Sequence, residues 1–328
     1  MKFSYRYYCK EDKKDWDNFV LKDSVNGTFL QTKNFLDYHP VQRFSDCSVL
    51  ILYKENLIGV VPACIEQKED QKIFVSHKGS TFGGIVLHGK YYSAQYLNEI
   101  INGLEIFLKN EGFSKVLLKI TPDIFCGKNS GLFQYILRSR GYDSYEEIST
   151  YIDFERYEKD ITMNFTSRRR RALKSGLKTE AVFKELTSRE SIEELYMVLC
   201  DNLKRYDTAP VHSIEELFEF KEKRLQNIVC FWGVYVEENI IAGSMTFDFG
   251  NVLHTQYLAA KRDDLCPNAM TVLYYYLIDY AIRKGYSKLS WGIATEDRGK
   301  ILNENLLIFK ESFGSDFGIN RTFYKVIR

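Results

Sequence analysis

The chain has 328 residues, roughly two average domains, and is 45% hydrophobic with only five prolines, which excludes a disordered or collagen-like protein. Its 45 Lys and Arg against 44 Asp and Glu leave a net charge of +1, so no global charge draws it toward nucleic acid or a membrane. Seven widely spaced cysteines (Cys9, Cys47, Cys64, Cys126, Cys200, Cys230, Cys266) form no CxxC or Cys/His cluster. That argues against a disulfide framework or a zinc site and for a reducing compartment.

In chain order, Met1–Arg6 leads into a charged stretch, Lys10 to Asp17, with no apolar signal-peptide run. No stretch reaches the ~20 apolar residues of a membrane span, and the best, Val272 to Ile282, is interrupted by Asp279. The expectation is a cytoplasmic protein without a membrane span. Val49 to Val60 reads as strand, tight charged turn and strand, with Asn at the turn tolerating positive φ. The strand Lys72 to Val75 precedes His77-Lys78-Gly79-Ser80-Thr81-Phe82-Gly83-Gly84, which lacks the spacing of a nucleotide-binding loop. Its glycines would let an acceptor approach closely, so His77, Ser80 and Gly83 are candidate binding residues, with Gln31 and Arg43 on the same surface.

Leu97, Ile100, Ile101, Leu104 and Leu108 form a helical stripe ending at Gly112, followed by the β-rich run Phe113 to Ile120. Tyr151 to Phe154 reads as the last strand of a first unit. The helix Ser167 to Gly176 follows, carrying Arg168, Arg169, Arg170, Arg171 and Lys174. Then the earlier pattern returns: a hairpin from Trp232 to Gly243, a strand from Asn251 to Leu258, and an apolar helix of Val272, Leu273, Tyr276, Leu277, Tyr280 and Ala281. That helix stops at Gly285 before the strand Tyr286 to Ile293. Helix, Gly, aromatic-Ser-Lys and strand recur in both halves, which points to a duplicated α/β unit with mixed sheets. The boundary is placed at 155/156, giving units 1–155 and 156–328.

On a helix, Arg170, Lys174 and Lys178 are successive i, i+4 neighbours, so with Arg168 and Arg171 they form a cationic ridge. Guanidinium forks suit phosphate oxygens, whether of a diphosphate acceptor, of CoA or of a tRNA backbone. The alternative is a solvated face balanced by Glu180 and Glu185.

Two tandem units of this kind resemble the GNAT acyltransferase fold in duplicate, as in the FemABX-like proteins. Four segments carry the likeness: Thr28-Phe29-Leu30-Gln31-Thr32 with Phe35; the basic helix from Ser167; Tyr257-Leu258-Ala259-Ala260 with Pro267 and the helix to Gly285; and Phe309-Lys310-x-x-Phe313-Gly314. The resemblance implies transfer of an acyl or aminoacyl group to an amine, often on a cell-envelope or polysaccharide precursor. It places the active site in the C-terminal unit and makes acyl-CoA or aminoacyl-tRNA the donor, with no metal. The loop Lys261-Arg262-Asp263-Asp264-Leu265-Cys266-Pro267-Asn268 lacks the glycines that would bare backbone N–H groups to a pyrophosphate, so the donor stays open.

The same resemblance makes Lys310 the group that stabilises negative charge on the oxyanion or leaving group, with Phe309 shaping the cleft. The alternative is that Phe309 and Phe313 are core residues and Lys310 faces solvent. His254 lies on the strand bordering the acyl site in the GNAT-like arrangement, and an imidazole of ordinary pKa can accept an amine proton. Asp248 and Glu296 are carboxylate alternatives. Strict alternation puts His254 and Tyr257, a candidate substrate-binding residue, on opposite faces unless a bulge intervenes. Two further readings stand beside the envelope acyltransferase: an acetyl-CoA-dependent N-acetyltransferase of a small amino-sugar nucleotide, and a non-catalytic module binding a phosphoglycan or RNA through the arginines.

Overall fold

The computed structural model describes residues 3–40, 42–205, 207–262 and 265–327. The chain forms two compact units, Met1–Glu147 with Ile319–Arg328, and Ile148–Gly318.

The first unit runs through β1 (Ser4–Tyr7), α1 (Lys13–Asn18), α2 (Lys33–Leu36), β2 (Ser45–Asp46), β3 (Val49–Tyr53), β4 (Asn56–Val61), β5 (Ala63–Lys68), β6 (Gln71–Ser76) and β7 (Val86–Leu87). It continues through α3 (Ala94–Asn110), β8 (Lys115–Lys119), α4 (Gly131–Ser139) and the start of β9 (Asp143–Asp153). The second contains α5 (Ser167–Leu177), β10 (Val182–Glu185), α6 (Arg189–Lys204), α7 (Ile214–Glu219), β11 (Val229–Val236), β12 (Asn239–Asp248) and β13 (Val252–Ala260). After these come α8 (Ala269–Lys284), β14 (Lys288–Ile293), the short pair β15 (Thr295–Glu296) and β16 (Ile301–Leu302), α9 (Glu304–Glu311) and β17 (Asp316–Val326).

The two units repeat each other strand for strand. In the second, the order is β10-β11-β12-β13-β14-β9. In the first, β1-β3-β4 answers to the first three positions and β5-β6-β8-β17 to the rest, Pro62 breaking one long strand into β4 and β5. Both units pair one strand parallel across the helical crossover, β6 with β8 and β13 with β14. In both, the crossover helix ends where glycine takes a left-handed turn, Gly112 and Gly285 each at φ +79°. The hairpin turns differ from the sequence expectation in one detail. Positive φ falls on Lys54, Glu55 and Glu237, while Asn56 and Asn239 already begin the second strands.

The 155/156 boundary needs correction. Residues 149–153 of β9 pair with β14 inside the second unit, and residues 322–326 of β17 pair with β8 inside the first. Each unit thus takes its final strand from sequence that a simple halving gives to the other. Hairpin patterns could not show this, because β9 and β17 carry no local signal of which sheet they join.

Each unit closes over its own core. In the first, Leu97, Ile100, Ile101, Leu104 and Leu108 of α3 bury against Phe74, Val116 and Leu118. In the second, Val272, Leu273, Leu277 and Ala281 of α8 cover Leu253, Leu289 and Trp291. All seven cysteines are free. No helix of the described residues is long and apolar enough to cross a membrane.

A Cβ at Gly112 or Gly285 would meet nothing within 4 Å, so their cost on substitution is purely conformational. Gly112→Ala and Gly285→Ala should each lower stability by about 1–2 kcal/mol, and by similar amounts, in urea unfolding.

Candidate functional site

In the second unit β13 and β14 pair in parallel from Val252/Lys288 to His254/Ser290 and no further, although β13 runs on to Ala260 and β14 to Ile293. The strands therefore part at His254. On the other edge of β13, Met245 faces Tyr257 and Thr246 faces Thr255, which leaves Gln256 as a bulge. The bulge restores what alternation alone denied. Phe247 and Met245, two apart on β12, sit opposite His254 and Tyr257, so His254 and Tyr257 share a face.

His254 does not have the near-neutral pKa expected of an amine base. Burial of the ring, and second the charge of Lys310, push it down to about 4. Its Nδ1 lies 3.0 Å from the Ser290 hydroxyl. Tyr257 meets a residue the sequence did not single out: its hydroxyl lies 2.6 Å from Nδ1 of His212, a buried histidine in the loop before α7. Burial raises the Tyr257 phenol to about 12.

Lys310 is 3% exposed and is the buried residue of α9, a helix that otherwise reads Glu-Asn-Leu-Leu-Ile-Phe and ends in Glu. The usual pattern is inverted, since lysine is rarely buried and aliphatics usually are. The alternative of a solvent-facing lysine is therefore wrong. Its Nζ donates to the carbonyls of Ile293 (2.8 Å) and Gly292 (3.2 Å) at the end of β14, just past a break in register at Trp291. Burial lowers the ammonium pKa to about 8. On either side of these carbonyls, the indole Nε1 of Trp291 and the hydroxyl of Thr295 are buried without a hydrogen-bond partner. Such orphaned groups each cost roughly 1–3 kcal/mol unless something binds them.

The rest of the Phe-Lys-x-x-Phe-Gly segment fixes this lysine in place. Phe313 is fully buried, stacked on Tyr274 of α8 with centroids 4.6 Å apart and edge-on to Phe165 and Phe309. Gly314 sits at φ +80°, and a Cβ there would lie 3.0 Å from the Asn164 carbonyl. The half-buried Phe309 packs edge-on to Tyr274 under the Arg169 guanidinium, 4.1 Å from its centroid. Arg169 also donates to Ser312 (2.9 Å) and Thr271 (2.7 Å).

Within the arginine run, then, it is Arg169 that turns inward. Arg168, Arg170, Arg171 and Lys174 are exposed, and none has a carboxylate within ion-pair distance among the described residues. Glu185, expected to balance them, pairs with Lys221. Arg170, Lys174 and Lys178 line one side of an open depression floored by Leu173 and Leu177.

The candidates of the first unit are spent inside it. Gln31 is fully buried and donates 2.8 Å bonds to the Gly83 carbonyl and the Thr121 hydroxyl, while its Oε1 accepts from the Thr28 amide and hydroxyl. Ser80 donates to the carbonyls of Phe82 and Leu30. His77 accepts from the Gly79 amide, and burial pushes it down to about 4. Arg43 lies 5.8 Å from the Phe44 ring. Gln31, Ser80 and His77 tie strands and loops together with polar atoms turned into the fold, whereas Arg43 is exposed. Of the loop after β13, Asp263 and Asp264 lie outside the described residues. No cluster of metal-binding side chains occurs among the described residues.

This architecture has relatives of known structure. FemX superposes with a TM-score of 0.71 at 11% identity, over 98% of this chain and 97% of its own. The fold is FemABX-like. A tandem GNAT protein from the clavulanic acid biosynthesis pathway matches with a TM-score of 0.58 at 8% identity, over 99% of both chains. A conserved protein of unknown function from Bacteroides thetaiotaomicron matches at 0.62 and 11%, also over 99% of both. No family model matches the sequence, and no curated protein matches it. The likeness to these structures, at 8–11% identity, is one of fold.

Two outcomes follow. The folded pKa of Lys310 lies below the ordinary lysine value, so between about pH 8 and 10.5 the unfolded chain holds the extra proton and stability rises with pH. Conversely, stability is lost as pH falls from about 10.5 to about 8, by up to about 3 kcal/mol, and levels off below that. Urea midpoints across that window should show this slope, and Lys310→Met should abolish it. In the first unit, Gln31→Leu should cost about 2–4 kcal/mol through the stranded partners at Thr28, Gly83 and Thr121.

Proposed function

We propose that the chain is an N-acyltransferase that moves an acyl or aminoacyl group onto an amine of a cell-envelope or polysaccharide precursor. The observation that carries this reading is Lys310: a buried ammonium, pKa about 8, held at the end of β14 beside the point where β13 and β14 part.

The parting supports a donor site. Where two parallel strands diverge, an extended donor arm can hydrogen-bond backbone groups as a further strand would. The acceptor amine then attacks the carbonyl carbon of the thioester or ester. The C–N bond forms, the carbonyl oxygen carries the negative charge, and the amine releases its proton. Collapse breaks the bond to the leaving sulfur or oxygen, which takes up a proton. Lys310 is suited to stabilise the oxyanion and to supply that proton, since a pKa near 8 matches neutral operation. His254, neutral with a pKa near 4, is a weak base and serves better as an uncharged neighbour. Phe309 and Arg169 keep the lysine-bearing turn fixed, and Tyr257 with His212 lines the same face of β13.

The donor is acyl-CoA or aminoacyl-tRNA. Likeness in fold to the tandem GNAT protein of the clavulanic acid pathway, a structure described as without AcCoA, supports keeping the second reading, an acetyl-CoA-dependent enzyme acting on an amino-sugar nucleotide. A non-catalytic phosphoglycan- or RNA-binding module would instead rest on the exposed arginines of α5 alone.

Incubation with acyl-CoA or charged tRNA and a panel of amine acceptors should give transfer, and calorimetric titration with each donor separates the two. Lys310→Ala should lower kcat at least about 100-fold while donor affinity changes little, and the wild-type rate should fall above about pH 8 as the ammonium is lost. No transfer to any acceptor, with binding unaltered in Lys310→Ala, would sink the reading.

A further inference from the structure

The outward face of α5, which reads in sequence as a phosphate-binding ridge, takes no part in holding Lys310, whose Nζ donates to the carbonyls of Gly292 and Ile293. Arg168, Arg171, Lys174 and Lys178 are exposed and make no ion pair among the described residues, and the depression beside Arg170 has an aliphatic floor of Leu173 and Leu177. Like charges this dense repel unless an anion lies against them. Met163, next in sequence to Thr162 of that depression, is 64% exposed.

The first turn of α5 is tied to the last turn of α9 by the Thr166 amide bonding to the Ser312 carbonyl at 3.0 Å and by Arg169 bonding to the Ser312 hydroxyl. The helix tied to α5 in this way, and the strand before it, also carry exposed apolar side chains. Ile308 is 61% exposed, Leu306 is exposed on the same helix, and Ile301 and Leu302 are exposed on β16 just before it. The acids of α9, Glu304 and Glu311, are confined to its two ends.

We propose that α5 and the adjoining α9–β16 surface dock onto an anionic lipid membrane. Cations beside exposed aliphatic side chains are what an interfacial surface needs, the cations meeting lipid phosphates and the aliphatics entering the acyl boundary. RNA fits the surface less well. Its bases would call for aromatic stacking partners, whereas the exposed apolar residues named here are Met and aliphatics, and Phe309 of α9 lies under Arg169. The proposal stands apart from the acyl-transfer reading, because docking needs neither Lys310 nor a donor.

Co-sedimentation of the full chain with vesicles tests it. Vesicles of equimolar phosphatidylglycerol and phosphatidylcholine should bind the protein, pure phosphatidylcholine vesicles should not, and salt should weaken binding. Each lost cation should reduce binding about fivefold, so the triple variant Arg168→Gln, Arg171→Gln, Lys174→Gln should lose about 100-fold. The pair Met163→Ser, Ile308→Ser should lose about tenfold. Unchanged urea midpoints would show that these surface variants still fold. The proposal is overturned by equal binding to both kinds of vesicle, by binding that survives either set of substitutions, or by binding of bulk tRNA in place of vesicles.

Discussion

The second unit turns on an ammonium group withheld from water. Among the described residues Lys310 has no carboxylate partner; two backbone carbonyls hold it, and burial pulls its pKa toward neutrality. A lysine in that position is costly, and the cost explains the residues around it. Phe313 must fill the interior beside it, Gly314 must turn the chain where no side chain fits, and Arg169 must cap Phe309. A short motif that looks like an apolar helix with a stray cation is a device for seating that cation at a strand end.

That device was partly legible beforehand. The spacing Phe309-Lys310-x-x-Phe313-Gly314 drew attention to a segment that the structure packs around a buried lysine, and helix-Gly-strand recurrence identified the duplicated unit, because both depend on local periodicity and on glycine's conformational freedom. The shared face of His254 and Tyr257 was not legible, since it depends on one unpaired residue, Gln256, whose bulging only the opposing strand decides. Nor was the direction of Arg169. Four consecutive arginines look alike in sequence, and which one turns inward follows from where α8 and α9 lie.

The first unit teaches the opposite lesson. His77, Ser80, Gly83 and Gln31 are residue types that bind ligands, and the glycine-rich stretch invites that reading. Yet Gln31 places all its hydrogen-bonding atoms within the fold, and it spans three loops that no pattern connects. Lys33 is likewise fully buried, paired at 2.5 Å with Asp46 and placed over the Tyr8 ring. Polar residues in a buried network are indistinguishable from a binding site until their partners are known.

The exchange of final strands has a bearing on how the protein is made. Synthesis proceeds from the N-terminus, and domains generally fold as they emerge. Here the first unit cannot finish early, because the strand that covers the edge of β8 is encoded after the whole of the second unit. Until β17 has been synthesised, that edge stays bare and able to pair with a neighbouring nascent chain. The order of the gene thus delays completion of the N-terminal half until the C-terminal half exists.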